Sequence, residues 1–224
     1  MPRMSDADRD RVTAAVTEAE RKSNGEIVTI VADRSDAYHD VGLHYAVLAM
    51  LLVPALIGFV PQAAFDDAMA PMLGWNAVLT RGTLMALLFM ALTAVFLIVR
   101  YALVYPPLRM ALTPGATKAR RVRRRAVQYF KVGAERRTVG RTGVLLYLSL
   151  AERRAEIVAD EAIHSKVAPE AWGDAMAALV AEVKAGRPGE GMANAVVIIG
   201  DLLAEHFPKT TTDENELPDR LVEL

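Results

Sequence analysis

The chain of 224 residues contains no cysteine. This absence excludes a disulfide scaffold, a cysteine nucleophile, a zinc–thiolate site and a cysteine-ligated iron–sulfur cluster. Aromatic residues are few, at 6%, and the formal net charge is only −1. Apolar residues make up 53% of the chain. That content is enough to bury a core, so a disordered protein is excluded as well.

The charges are segregated along the chain. Residues 1–40 carry 6 basic and 9 acidic side chains, and residues 41–99 carry Arg81 against two aspartates. Residues 100–141 carry 12 basic side chains against Glu135 alone, whereas residues 151–224 carry 7 basic and 15 acidic ones. The small net charge therefore combines one strongly basic segment with acidic flanks.

Two long apolar runs interrupt this charged sequence. Residues 41–60 and residues 82–99 contain no formal charge. A hydrocarbon layer about 30 Å thick is crossed by roughly 20 helical residues. The sequence therefore predicts a transmembrane hairpin within residues 41–105, with spans over about 41–60 and 82–99. The alternative is a helix pair buried inside a soluble protein.

The flanks of these runs predict an orientation. Arg100, Arg109, Lys118 and the arginines of residues 120–125 follow the second run, whereas Asp66 and Asp67 lie between the runs. Because basic flanks stay cytoplasmic, we expect an inner (plasma) membrane protein with two spans and both termini in the cytoplasm. Residues 61–80, with Trp75, are predicted to form a short interfacial segment.

The rest of the chain has the pattern of one α/β domain, split into residues 1–40 and 106–208 and followed by a loose acidic tail over 209–224. Apolar spacing, caps and breakers predict its elements. These are a helix from Ser5 to about Asn24, a strand over 26–32, a helix over 117–131, a hairpin of strands at 142–150 and 156–159, and helices over 171–184 and 191–206.

Several stretches resemble the TPM domain family, which is named for a thylakoid lumen protein, a photosystem II repair protein and a nematode receptor modulator. They are Asn24 to Val28, Gln128 to Phe130, Arg141 to Leu150, Glu152 to Val158, Trp172, Gly189 to Met192 and His206 to Pro208. The resemblance implies a small α/β/α sandwich, here interrupted by the hairpin. It also implies a role in membrane-protein repair or assembly, acid phosphatase activity, or binding of a divalent metal such as Ca²⁺.

The chain departs from this family in two respects. Relatives are often exported with one C-terminal anchor, whereas this chain carries a hairpin inside the domain. Relatives also often have a glycine-rich turn after the third strand, where this chain has Ala159-Asp160-Glu161-Ala162.

Acidic residues follow two of the predicted strands. Asp160 and Glu161 end one strand, and Asp33 and Asp36 follow the first one. Carboxylates that converge at a strand edge suit a hard cation, so these four residues are the candidate ligands for Ca²⁺ or Mg²⁺. The alternative is that they are ordinary solvated acids at strand ends.

A basic cluster follows the second apolar run, at Arg120, Arg121, Arg123, Arg124 and Arg125. Beside a cytoplasmic leaflet, such residues bind anionic lipid headgroups and set the topology. Docking against the acidic C-terminal half is an alternative. Nucleic-acid binding is not expected, because aromatic side chains that could stack on bases are not interleaved with the arginines. The nearby Tyr129 and Phe130 fall on the apolar face of the predicted helix.

Two functions remain open from the sequence. One is a non-catalytic accessory or binding module for the assembly or maintenance of other membrane proteins. The other is a metal-dependent, acid-phosphatase-like hydrolase. No nucleophile elbow, phosphate-binding loop or zinc-protease motif occurs, so a hydrolase would rest on metal and carboxylates alone.

Overall fold

The computed structural model describes residues 4–73, 80–133, 142–210 and 219–224. The protein is a mixed α/β chain with a four-stranded sheet. It divides into two compact units, Met1–Asp36 with Pro114–Leu224 (unit 1) and Ala37–Thr113 (unit 2). Trp75 and half of the predicted tail, residues 211–218, lie outside the described residues.

The elements follow one another in the order α1 (Asp6–Glu20), β1 (Glu26–Ala32), α2 (His39–Ile57), α3 (Gln62–Leu73), α4 (Arg81–Ala102), α5 (Pro106–Leu112), α6 (Gly115–Gly133), β2 (Gly143–Ser149), β3 (Arg154–Ala159), α7 (Glu161–His164), a 3-10 turn (Pro169–Ala171), α8 (Trp172–Lys184), α9 (Pro188–His206) and β4 (Val222–Glu223).

The sheet has the strand order β3-β2-β1-β4. β1 runs parallel to β2, from Glu26 opposite Gly143 to Ala32 opposite Ser149. β2 and β3 form the predicted antiparallel hairpin. The sheet therefore joins a strand that precedes unit 2 in sequence to strands that follow it, as the sequence predicts.

The end of the chain differs from the prediction of a loose tail. β4 pairs in parallel with β1, with Ile30 opposite Val222. Leu221 is buried beside it, and Leu224 N donates to Val31 O at 2.9 Å. The prediction is wrong for these last residues because the edge of β1 offers unpaired main-chain groups, which a short apolar segment satisfies.

Side chains alternate between the two faces of the sheet, as strand geometry requires. Ile27, Val31 and Leu146 pack with apolar residues of α1, α8 and α9. Ile30, Leu145 and Tyr147 pack with three residues of α6, namely Val122, Ala126 and Phe130. Unit 1 therefore has a larger core on one face of the sheet and a smaller core on the other.

The helix ends of unit 1 follow local signals in most places. Ser5 caps α1 in a reciprocal capping box with Asp8, which places the predicted N-cap correctly. Gly186, with φ +81, follows α8. Pro188 occupies the first turn of α9, so this helix begins a turn earlier than predicted.

Unit 2 contains the two apolar helices. Both α2 and α4 are long and apolar enough to cross a membrane. They pack against each other, and the less exposed residues of α4 recur at a spacing of three to four, as at Leu88, Leu92 and Val95. The segment after α2 is a helix, α3, over most of the predicted interfacial segment.

Arg109 is the buried cation of unit 2. Its Nη1 donates to Leu103 O at 3.1 Å and lies 3.3 Å from His39 Nδ1. Leu103 is the C-cap of α4, so its carbonyl is one that the helix itself leaves unsatisfied. Arg109 therefore joins α5 to the end of α4 and the start of α2.

Candidate functional site at the carboxyl ends of β1 and β2

The carboxyl ends of β1 and β2 lie side by side, because the strands are parallel and in register. Functional groups collect at this edge in α/β folds. Leu150 N donates to Ala32 O and Ala151 N donates to Asp33 O, both at 3.0 Å. These bonds join the loop after β1 to the turn after β2.

Ser35 is the centre of a buried polar group at this edge. Its backbone N donates to Glu152 Oε1 at 3.0 Å, and its hydroxyl is 2.9 Å from the hydroxyl of Tyr147. Its carbonyl accepts a hydrogen bond of 3.0 Å from Arg125 Nε. Every polar atom of Ser35 is therefore engaged, and its hydroxyl faces a phenol rather than a general base.

Glu152 is the buried carboxylate of this group. Its second oxygen accepts a short hydrogen bond from the hydroxyl of Ser149, so each carboxylate oxygen has a donor. The main-chain donor comes from the loop after β1, and the hydroxyl donor comes from the end of β2. Glu152 thus links the ends of both parallel strands.

The aromatic side of the group is formed by two tyrosines. The rings of Tyr129 and Tyr147 lie 5.9 Å apart, and the Arg125 guanidinium lies 5.8 Å from the centre of the Tyr129 ring. Burial raises the pKa of Tyr147, whose hydroxyl therefore stays protonated at neutral pH. We call Ser35, Asp36, Arg121, Arg125, Tyr147, Ser149 and Glu152 the Ser35 cluster.

Asp36 completes the Ser35 cluster through an ion pair of 2.9 Å with Arg121. Asp36 is the last residue of unit 1 before the insertion, and α6 is the first helix after it. The Ser35 cluster therefore ties the segment that leads into unit 2 to the helix that follows unit 2. Its arrangement suits a structural clamp, since its hydrogen-bonding groups are engaged with one another.

The four acids predicted to bind a metal are divided between two places. Asp33 and Asp36 lie at the carboxyl end of β1, whereas Asp160 and Glu161 follow β3, whose Ala159 pairs with Val144 near the start of β2. Seven residues of strand separate these ends, which is about 20 Å at ~3.3 Å per residue. The predicted convergence is wrong because the β2–β3 hairpin reverses the chain.

Asp160 has a local role instead. Its Oδ2 accepts a hydrogen bond of 2.9 Å from Gly143 N, and its carbonyl begins the short helix α7. Glu161 is exposed in the first turn of α7. Within the part of the chain that the structure describes, no group of three or more acidic, histidine or cysteine residues is placed to hold a metal ion.

The five arginines of the basic cluster fall into two sets, three with contacts to described residues and two without an ion pair to them. In the first set, Arg121 and Arg125 belong to the Ser35 cluster, and Arg123 lies 3.3 Å from Glu156. Arg120 and Arg124 are exposed, and neither forms an ion pair with a described residue. Among the described contacts of unit 1, Arg120 and Arg124 break none when they bind an external anion, whereas the other three arginines would.

A buried acidic group at the opposite end of the sheet was not predicted. Glu20 Oε1 accepts a hydrogen bond of 2.8 Å from Ile27 N, and Thr17 donates to Asp219 at 2.6 Å. Burial raises the pKa of Glu20 to about 8, with further contributions from the charges of Glu26 and Asp219. The sequence does contain a signal for the burial of Glu20. This residue follows Val16 by four positions, which places it on the apolar face of α1.

The fold has a counterpart among solved structures. The chain is similar to the NMR structure of the BA42 protein from the psychrophilic bacterium Bizionia argentinensis, with a TM-score of 0.56 and 15% identity. The match covers 100% of this chain and 97% of that chain. At this identity the similarity concerns the fold alone. No family model and no curated protein matches the chain.

Proposed function

We propose that the protein is a membrane-anchored, TPM-like accessory module that binds other membrane proteins during their assembly or maintenance. Unit 1 would be the small α/β/α sandwich of that family, at the cytoplasmic face of the inner membrane. Unit 2 would be its anchor, a hairpin of two spans. The proposal for unit 1 is supported by its order of elements and by its two cores on opposite faces of the sheet.

The observation that carries the proposal is the apolar surface of unit 2. Large apolar side chains stand exposed on α2 and α4, among them Phe89 at 70% and Ile98 at 66%. Others are Leu43, Leu48, Leu51, Leu52, Leu56 and Met90. Water-soluble proteins seldom expose contiguous apolar patches of this extent, whereas a bilayer solvates them favourably.

The basic residues support the orientation and a lipid contact. Arg100 lies in the last turn of α4, and the exposed Arg120 and Arg124 follow on α6. Each such arginine contributes about 1 kcal/mol when it lies near anionic headgroups. The proposed partners are therefore the anionic leaflet and other membrane proteins.

The Ser35 cluster is better suited to a structural role than to catalysis. The hydrogen bonds of Ser35 and Glu152 are made within the cluster, and the Asp160 carboxylate accepts a hydrogen bond from the backbone of Gly143 at the start of β2. A metal-dependent hydrolase would require the four candidate acids to act across two ends of the sheet. The geometry therefore does not favour the hydrolase, or a Ca²⁺ or Mg²⁺ site formed by all four residues.

Single-cysteine labelling tests the topology, and the chain contains no native cysteine to interfere. We expect a membrane-impermeant maleimide to label Gln62→Cys in spheroplasts and to label Ser165→Cys only after lysis. Both positions are exposed. Labelling of Ser165→Cys alone in intact spheroplasts would indicate the opposite orientation, with both termini outside the cytoplasm. Equal labelling of both positions in spheroplasts would contradict the two spans.

Photo-crosslinking tests the accessory role. A photoreactive residue in place of the exposed Phe89 should form an adduct with another membrane protein in native membranes. The same residue in place of Leu92, which is half-buried, is the matched control and should give little adduct. Adducts with lipid alone at position 89 would leave the anchor intact and refute the accessory function.

A further inference from the structure

Unit 1 contains a cavity that is separate from the Ser35 cluster. Its volume is about 360 Å³. The cavity lies beside the edge strand β3, between the β2–β3 turn and the adjoining ends of α8 and α9. Its apolar lining consists mainly of Leu148, Leu150, Ala155, Leu179, Val180 and Val183. A cavity of this size falls within the usual range for small-molecule sites.

The charged residues that border this cavity are all basic. Arg153, Arg154 and Lys184 line it, and none of its described lining residues is acidic. The guanidinium of Arg154 lies beside Gly115 at the start of α6, which leaves Arg153 and Lys184 as the rim cations. Both are exposed, and neither forms an ion pair with a described residue.

Arg153 is held at the rim by the fold of the turn. Its φ is +51, a left-handed conformation that non-glycine residues rarely adopt. Its backbone N donates to Leu150 O at 3.2 Å, which closes the turn between β2 and β3. Glycine would adopt this conformation at lower cost, yet an arginine occupies it.

We propose that this cavity binds an anionic amphiphile, namely a medium-length acyl chain that ends in a carboxylate. The acyl chain lies against the leucine and valine lining, and the carboxylate lies at the rim between Arg153 and Lys184. Charge complementarity selects an anion, because the lining offers two available cations and no acid. Burial of each additional methylene raises the affinity by up to about fourfold until the cavity is filled.

The test measures binding to the full chain in phosphatidylcholine nanodiscs, with empty nanodiscs as the blank. The probes are butyrate, hexanoate and octanoate, together with 1-octanol and octylammonium. We expect affinity to rise along the carboxylate series. Octanol and octylammonium should bind at least tenfold more weakly than octanoate. Octanol binding as tightly as octanoate would overturn the proposal, because the rim cations would then contribute nothing.

Two rim variants locate the site. Arg153→Glu and Lys184→Glu should each weaken octanoate binding at least fivefold. Lys22→Glu is the matched control, since Lys22 is exposed near the opposite end of the sheet, and it should bind octanoate like the parent. If a rim variant fails to fold, Lys184→Met serves in its place. Unchanged affinity in folded rim variants would overturn the proposal.

A filling variant and a peptide probe distinguish other occupants. Val180→Trp should occupy the apolar lining and weaken octanoate binding while leaving the melting temperature within a few degrees. A dipeptide such as acetyl-Leu-Leu, with a free carboxylate, is the competing probe. Dipeptide binding at least tenfold tighter than that of octanoate would assign the cavity to a peptide terminus and overturn the proposal.

Discussion

The backbone amide of Ser35 donates a 3.0 Å hydrogen bond to the carboxylate of Glu152, a residue 117 positions later in the chain. The two residues belong to the same unit although the whole of unit 2 lies between them in sequence. Residues 33–36 are therefore held in place by side chains that are synthesised after the two apolar helices. This link makes the position of residues 33–36 dependent on the completed sheet.

Removal of the Glu152 carboxylate should destabilise unit 1. Glu152→Ala leaves the buried amide of Ser35 and the hydroxyl of Ser149 without an acceptor, and we expect a loss of about 2–3 kcal/mol in the free energy of unfolding. Glu152→Gln keeps one acceptor and should cost about 1 kcal/mol. Chemical denaturation gives the values, and amide exchange at Ser35 should accelerate in both variants.

The matched control for this change is Glu205→Ala on α9. Glu205 is exposed, so its removal should alter stability by less than about 0.5 kcal/mol. Equal effects of Glu152→Ala and Glu205→Ala would mean that the Ser35 cluster contributes nothing to stability.

Stability should fall as the pH rises through the neutral range. The pKa of Glu20 is raised from 4.5 to about 8 by burial, so between these values the folded state keeps a proton that the unfolded state has lost. The contribution of this group is greatest below pH ~4.5 and is lost by pH ~8, with an upper bound of about 5 kcal/mol. Denaturation between pH 5 and 9 measures the slope.

Glu20→Gln should remove most of this pH dependence. The amide keeps an oxygen for the hydrogen bond from Ile27 N and carries no charge to bury, so the variant should be more stable than the parent at pH 8. Glu18→Gln, at an exposed position on the same helix, is the control and should retain the parent slope. An unchanged slope in Glu20→Gln would assign the pH dependence to other groups.

A methyl group at Gly200 should disturb the contact between α1 and α9. A Cβ atom there would lie 2.5 Å from the Cβ of Ala19, so the helices must separate. We expect Gly200→Ala to lower the free energy of unfolding by about 1–3 kcal/mol. Adding Ala19→Gly should recover part of the loss. Gly173→Ala in α8 meets nothing within 4 Å and should be neutral or stabilising.

The returning strand at the end of the chain should contribute to stability. Leu221 is 8% exposed and packs into the larger core, whereas Leu224 is 53% exposed and contributes mainly its backbone. Leu221→Ala should cost about 2–3 kcal/mol, and Leu224→Ala should cost less than about 0.5 kcal/mol. The melting temperatures of the two variants measure this difference. Equal melting temperatures would show that β4 adds little.

Local elements of this protein could be predicted because their signals are local. The Ser5 cap, the β-branched run before Ala32 and the length of the apolar run after Gly82 each depend on residues close in sequence. The β2–β3 hairpin was predicted for the same reason, since only four residues separate the strands. The predicted start of α9 is one turn too late. The sequence pattern assigns glycine and proline at 186–189 to the end of the preceding helix, whereas Gly186 follows α8 and Pro188 already begins α9.

The candidate sites depended on long-range pairing and were predicted less well. Asp33 and Asp160 each end a strand, but the direction of β3 relative to β1 places them at opposite ends of the sheet. Ser35 and Glu152 show no pattern in the sequence that joins them, because their contact exists only once β1 and β2 are in register.

The sequence by itself determined the absence of thiol chemistry, the segregation of charge and the two apolar helices, because composition and short-range periodicity are sufficient for these properties. The tertiary structure decided which acids meet, which arginines remain free of ion pairs to described residues, and that the last residues complete the sheet. Those outcomes depend on strand order, strand direction and burial. These arise from contacts between residues far apart in the chain, which no local pattern encodes.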